Sequence, residues 1–298
     1  MGYHELFVSP SSIFSGYQTS YEEARYVVLG VPFDLTSTYR SGARFAPTAV
    51  REASLNIETY SFRTGINIED LRIHDLGDLH VSGKVDETLK RLTSVAKDLL
   101  DAGKTPVVIG GEHTLTLGMM QAVQKHVAIV SFDAHLDLRN EYMGRATSHA
   151  TFMRRIRQQV EPKEILEIGT RAVCGEELDY AKTANIKFLT VQGIRKDGNL
   201  NALKNIGKIL SNCDKIYLSI DMDVLDPAFA PAVQNPEPDG LSTHEFLDIL
   251  CNVCDERIIA FDLVEVTPHY DHGVTAVQAA KTIFETLCHI EKARMCAR

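Results

Sequence analysis

The stretch Val127-Ala128-Ile129-Val130-Ser131-Phe132-Asp133-Ala134-His135-Leu136-Asp137 decides the reading of this chain. Its first half is an almost unbroken run of apolar, β-forming residues, as expected of a strand buried on both faces. Its second half changes abruptly to two acids and a histidine. In extended chain, residues two apart point to the same side, so Asp133, His135 and Asp137 would share one face just past the strand end. The same phrase recurs three times. Val107–Ile109 leads into Gly110-Gly111-Glu112-His113-Thr114. Ile216–Ile220 leads into Asp221-Met222-Asp223, and Ile258–Leu263 leads into Val264-Glu265-Val266-Thr267-Pro268.

Four further β-type runs, Val27–Val31, Leu71–Leu76, Ile165–Ile168 and Lys187–Val191, bring the expected strands to eight. Helical patterns lie between them. Residues 85–102 place Val85, Leu89, Leu92, Ala96 and Leu99 on one face. Ser242 and Glu245 form a capping box that starts another helix. Pro47 suits the first turn of a helix running to about Ile57. Strand–helix alternation along the chain, with no internal repeat and no low-complexity linker, predicts one α/β domain with a parallel sheet covered on both faces. In such sheets ligands bind beyond the carboxyl ends of the strands, where the acids and histidines fall.

Composition excludes several classes. A formal charge of -9 over 298 residues argues against nucleic acid as a partner, which would require a basic face, and favours cationic substrates. No apolar run is long enough to span a bilayer. Met1–Ser12 lacks a basic region followed by an apolar one, so a cytoplasmic location is expected. The six cysteines are scattered through the C-terminal half, unlike a disulfide framework. Cys251 and Cys254 form a C-x-x-C, but with no second pair and no flanking ligand histidine they read as reduced thiols. His4, His126, His244 and His289 have no partners in the sequence and read as structural or exposed. His74-Asp75-Leu76-Gly77-Asp78-Leu79-His80 imitates a metal cluster, and Gly103-Lys104-Thr105 imitates a phosphate loop. The latter closes a helix rather than following a strand, and position 98 is Asp98.

Four carboxylates converging without cations would repel one another and drive their pKa values up. Divalent metals remove that cost. An oxygen-rich set of Asp133, Asp137, Asp221 and Asp223 with His113 and His135 suits Mn2+ better than a thiolate-seeking metal. Two such ions about 3.5–4 Å apart can share a water and make it a hydroxide near neutral pH.

These residues resemble the ureohydrolase family of arginases and agmatinases, closest to agmatinase. Gly110-Gly111-x-His113, Asp133-Ala134-His135-x-Asp137 and Ser219-x-Asp221-x-Asp223-x-x-Asp226-Pro227 are similar to its metal motifs. Ser41-Gly42-Ala43-Arg44 through Pro47 and Arg51 resembles its early loop and helix, and Val264-Glu265-Val266-x-Pro268 its substrate-glutamate motif. The likeness covers roughly residues 25–290. It implies a single-domain three-layer α/β/α sandwich with a mostly parallel eight-stranded sheet, its core spanning about 25–294 after an N-terminal extension over 1–24. It implies two Mn2+ per subunit. His113, Asp133, Asp137 and Asp221 would hold one, and Asp133, His135, Asp221 and Asp223 the other. Homotrimers or homohexamers are expected. The chain departs from the family at Ala232-Val233-Gln234-Asn235-Pro236-Glu237-Pro238-Asp239-Gly240, where many relatives carry a Gly-Thr-Gly-Thr-Pro-like run.

The resemblance further implies hydrolysis of a guanidine to urea and an amine by a metal-bridging hydroxide attacking the guanidinium carbon. Glu265 would grip the guanidinium, since a carboxylate matches its planar donors in a bidentate fork. His149, in Thr147-Ser148-His149-Ala150-Thr151, would shuttle the proton to the leaving amine. Asp137 joins these catalytic groups. The loop 138–145, Asn140 included, would contact substrate and set specificity; it is more similar to agmatinase loops than to arginase loops. Agmatine, giving putrescine and urea, is the expected substrate. Other members remain alternatives: N1-aminopropylagmatine ureohydrolase, guanidinobutyrase, arginase or formiminoglutamase. A single-zinc deacetylase-like enzyme would leave several aspartates unexplained. A non-catalytic binding protein would turn over no guanidine. Asp271 and His272, just past Glu265, are expected near the entrance.

Overall fold

The computed structural model describes residues 2–9, 11–123 and 126–297. Its strands are β1 (Val8–Ser9), β2 (Tyr26–Val31), β3 (Tyr60–Ser61), β4 (Ile66–Asn67), β5 (Ile73–Leu79), β6 (Thr105–Gly110), β7 (Ala128–Phe132), β8 (Ile165–Thr170), β9 (Lys187–Thr190), β10 (Ile216–Asp221) and β11 (Ile258–Val264). All eight runs expected from sequence pair in parallel, in the order β5-β2-β6-β11-β10-β7-β8-β9. A ninth strand, β1, adds antiparallel to β5, and β3 with β4 forms a separate hairpin. Each of these three strands is two residues long, too short to leave a periodic signal in the sequence.

Every residue of β2, β6, β7, β8 and β10 is buried, which accounts for their largely apolar character. Alternate side chains feed opposite layers. Val28, Val107 and Val130 pack on one face with the helices Ala46–Ser54, Thr243–Val253 and Val274–Cys296. Val27, Val108 and Ile129 pack on the other with Val85–Asp101, Leu115–Ala122 and Phe152–Gln159. The result is a three-layer α/β/α sandwich in one domain. Burying an aliphatic side chain stabilises by roughly 1.5–3 kcal/mol, so these two layers supply most of the driving force. No helix of the described residues is long and apolar enough to cross a membrane.

Topology positions the site. β6 and β7 are consecutive among the sheet strands yet lie apart, with β11 and β10 between them. The four strands that end in acids or histidines are therefore neighbours, and their carboxyl ends open onto one crevice. Gly111 fixes one wall: a Cβ there would sit 1.8 Å from the Phe33 carbonyl oxygen. That approach lets the Glu112 N–H bond Phe33 at 2.7 Å, joining the loops after β2 and β6.

Candidate metal centre

His113, Asp133 and Asp221 form one group of potential ligands, and Asp133, His135 and Asp223 a second. Within each, the ligand atoms lie within 4.8 Å of one another. Asp133 belongs to both. His113 Nδ1 is 3.0 Å from Asp133 Oδ2, 3.0 Å from Asp221 Oδ2 and 3.8 Å from Asp137 Oδ2. His135 Nδ1 is 3.0 Å from Asp223 Oδ2 and 3.4 Å from Asp133 Oδ1. All six expected ligand side chains thus converge. Backbone bonds hold the acids in place: Asp133 accepts the His135 N–H at 2.6 Å, Asp221 the Asp223 N–H at 2.8 Å, and Asp223 the Ala134 N–H at 3.1 Å.

The hydrogen bonding around His113 identifies its free atom. Ser219 Oγ donates to Asp262 Oδ1 at 2.6 Å, so its oxygen accepts the hydrogen of His113 Nε2 at 2.9 Å. In the neutral ring, Nδ1 is then a bare lone pair. That buried atom has no aligned hydrogen-bond partner among the described residues, although two carboxylates flank it. A lone pair and carboxylate oxygens aimed at a common point fit a metal ion, and the Ser219–Asp262 pair supplies the outer support that metal-binding imidazoles use. Asp262 also accepts from Thr116 at 2.8 Å and from Tyr217.

Electrostatics point the same way. Burial alone would lower the pKa of His113, but the Asp133 and Asp221 carboxylates raise it well above the ordinary value. His135 is raised likewise, against its burial, by Asp223 and Asp133. Burial pushes Asp137 up, with the Asp133 charge adding, and pushes Asp221 up, with Asp223 and Asp133 adding. Asp133, despite its burial, is held low by the two histidines. Without a cation the cluster must retain protons, and divalent ions can take their place.

Glu265 reaches the same space from the end of β11. Its Oε1 accepts the His113 N–H at 2.6 Å, while its buried Oε2 has no partner among the described residues. Burial, then the nearby Asp221, raises its pKa well above the ordinary range. Glu265 has φ 69° and Asp137 φ 49°, backbone conformations that cost non-glycine residues free energy. Such local strain gathers at functional sites.

His149 lies beyond β7 in the turn before the helix Phe152–Gln159. Thr36 Oγ1 donates to Glu112 Oε1 at 2.8 Å, so toward His149 it acts as acceptor. It accepts the His149 backbone N–H at 3.0 Å and lies 3.1 Å from Nδ1, which assigns the ring hydrogen to Nδ1. Nε2 is left as a proton acceptor, 3.3 Å from Thr38 Oγ1. Burial, then the positive charges of His135 and His113, brings the His149 pKa down to about 4.

A cavity of about 480 Å³ joins these groups, lined among others by His135, Asp137, His149, Asp221, Asp223 and Glu265. Asn140 is not brought to it: that side chain is exposed and its Oδ1 accepts from Arg155 at 3.1 Å. Asp271 also stands apart, bonded to the Gly273 and Thr275 N–H groups at the start of the last helix. The acids that imitate a second cluster belong to Arg51. Its buried guanidinium meets Asp75 at 2.8 Å and 2.9 Å and also pairs with Asp78. Lys104 Nζ is spent on the carbonyls of Tyr21, Glu22 and Ala24.

Sequence reasoning missed Thr36, Glu112, Asp262 and Glu237. Asp262 carried a signal, an acid inside the apolar run Ile258–Leu263. Glu237, in the divergent 232–240 loop, lines the cavity with its Oε1 3.9 Å from His135 Nε2. Arg171 clasps this loop, donating to the Glu237 and Pro238 carbonyls as well as those of Asp223, Val224 and Leu225.

The chain belongs to the arginase family, whose profile matches residues 24–289. It is a hydrolase acting on guanidino carbon–nitrogen bonds. It is 37% identical over 270 residues to the N(1)-aminopropylagmatine ureohydrolase of Thermococcus kodakarensis, covering 89% of this chain and 91% of that one. It is 34% identical over 284 residues to the agmatinase of Bacillus anthracis, covering 92% and 95%. Its fold matches the crystal structure of agmatine ureohydrolase from Thermoplasma volcanium with a TM-score of 0.90 at 34% identity, covering 97% and 98% of the two chains.

Proposed function

We propose that this protein is a manganese-dependent agmatinase that hydrolyses agmatine to putrescine and urea. The observation that carries the reading is Glu265 Oε2, a buried carboxylate oxygen without a partner among the described residues, on a residue that lines the same cavity as His135, Asp137, Asp221 and Asp223. A guanidinium is planar, permanently charged and rich in N–H donors, which is what such an oxygen lacks. His113, Asp133, Asp137 and Asp221 would hold one ion, and Asp133, His135, Asp221 and Asp223 the other. When bound, the pair supplies Lewis acidity and an activated water nucleophile.

The chain's own residues do the rest. Glu265 orients the guanidinium so that its carbon faces the ligand clusters. Water adds to that carbon and the bond to the alkylamine nitrogen breaks. His149, with Nε2 free, takes a proton from the water side and returns it to the departing amine. The products are urea and a diamine.

A decarboxylated substrate fits the cavity's charge. Glu237 and Glu177 line it. Two arginines also line it: Arg171 commits its donors to backbone carbonyls, and Arg139 faces Glu177, its Nε 4.0 Å from Glu177 Oε2. The names of the Bacillus and Thermoplasma relatives support agmatine. A second reading, N1-aminopropylagmatine, is favoured by Glu237: its partly exposed carboxylate suits an additional ammonium along the tail. The trimer or hexamer expected of the family belongs to the same proposal, and light scattering on the purified protein tests it.

Urea release from Mn2+-loaded protein is to be measured with agmatine, N1-aminopropylagmatine, arginine and guanidinobutyrate. Agmatine is expected to give the highest kcat/KM. N-formiminoglutamate is added as a control: formamide released from it, with no urea from any of the four guanidines, would remove the guanidine assignment, and no turnover of any of the five would favour a binding protein.

A further inference from the structure

The helices Thr243–Val253 and Val274–Cys296 meet on one face of the sheet, with the β3–β4 hairpin bonded to the second of them. At this junction the C-x-x-C resolves differently from its sequence reading. Cys251 is grouped not with Cys254 but with Glu285 and His289. One ligand atom from each of the three lies within 4.8 Å of the other two. Glu285 and His289 are four residues apart on one helix, so they share a face by helical geometry. Cys251 comes from the last turns of the other helix. None of the three lines the cavity described above.

Two observations set this group apart from an incidental contact. His289 Nε2 is buried and has no hydrogen-bond partner among the described residues. A buried polar atom without a hydrogen bond has lost its water and gained nothing in return, so a ligand that satisfied it would stabilise the fold. Secondly, the three donors are of different kinds: a thiol, an imidazole and a carboxylate. Thiolate and imidazole with one carboxylate form the donor set of a borderline-soft tetrahedral ion, with one position left for water.

We propose that Cys251, Glu285 and His289 form a further metal site, of the Zn2+ class, that ties the two helices together. It is independent of the reading of the cavity. Glu285 at present accepts from Ser61 at 2.8 Å and pairs with Lys281 at 2.9 Å. Lys281 is partly exposed and can turn to water, leaving one carboxylate oxygen for the ion, while Ser61 retains the other. Burial holds the Cys251 thiol up, to about 12, against the opposing charge of Arg63. The thiol therefore keeps its proton until a metal displaces it.

Cobalt provides the test: neither cluster in the cavity contains sulfur, so a thiolate–Co2+ charge-transfer absorption comes from a cysteine, and its loss in Cys251→Ser assigns it to this one among the six free thiols. Co2+ is titrated into Mn2+-loaded protein. The absorption is expected to saturate with one ion, to be displaced by Zn2+ and to persist in Cys254→Ser. It disappears in Cys251→Ser, whose urea-forming rate stays unchanged. In His289→Asn the affinity for Co2+ falls about tenfold or more. Circular dichroism checks the folding of each variant, and if Cys251→Ser does not fold, His289→Asn decides. No thiolate absorption, an absorption that survives Cys251→Ser, or an unchanged affinity in His289→Asn would each overturn the proposal.

Discussion

Glu265 concentrates several costs in one residue: a positive φ, full burial and a carboxylate oxygen without a partner among the described residues. A cationic ligand, as proposed above, would offset the last two together. Glu265→Gln keeps the shape and the bond from the His113 N–H but removes the charge. It is expected to lower kcat/KM for agmatine by roughly 10²-fold or more with both metals retained. Kinetics combined with elemental analysis checks it, and unchanged kinetics would remove Glu265 from the site. Asp133 and His149 separate metal holding from proton transfer. Asp133→Ala should lose metal, because Asp133 belongs to both ligand groups. His149→Ala should keep both ions and lose rate by about 10²–10⁴-fold. Equal metal loss in the two variants would mean that His149 is misassigned.

At the scale of elements, ion pairs and packing join the loops that carry the site to the sheet. Arg51 anchors the helix Ala46–Ser54 to β5 through Asp75 and Asp78, with its own side chain fully buried. Arg51→Met removes the cation and leaves Asp75 buried without it. Breaking a buried pair in this way costs about 3–5 kcal/mol. Urea denaturation of the variant should show a lower midpoint with an unchanged slope, whereas full stability would mean that water readily reaches those acids. The same pair explains why the acids of the 74–80 segment imitate a metal cluster. Their partner is an arginine more than twenty residues earlier, which spacing within the segment cannot reveal.

Over the whole molecule, metal, proton and charge are linked. His113 and His135 have pKa values raised above the usual range, and Asp137 and Asp221 are raised as well. Each must give up its proton to act as a ligand. Loading with Mn2+ near neutral pH should therefore release protons, and the affinity should climb as pH rises through that region. Calorimetry in two buffers of different ionisation enthalpy measures the release; a heat independent of buffer would contradict the assignment of these ligands.

The eight parallel strands were legible in the sequence because buried strands write continuous apolar runs, and their ends were legible because acids and histidines break those runs sharply. The six candidate ligands could be named for the same reason. Only the tertiary structure decided what stands behind and around them. Ser219 with Asp262, Thr36 with Glu112, and Cys251 with Glu285 and His289 meet across different segments. Asn140, named from its loop, turned instead to Arg155. Periodicity is a local property that one segment carries in full. Which side chain satisfies a buried hydrogen bond or charge depends on the docking of distant segments, and no single segment records it.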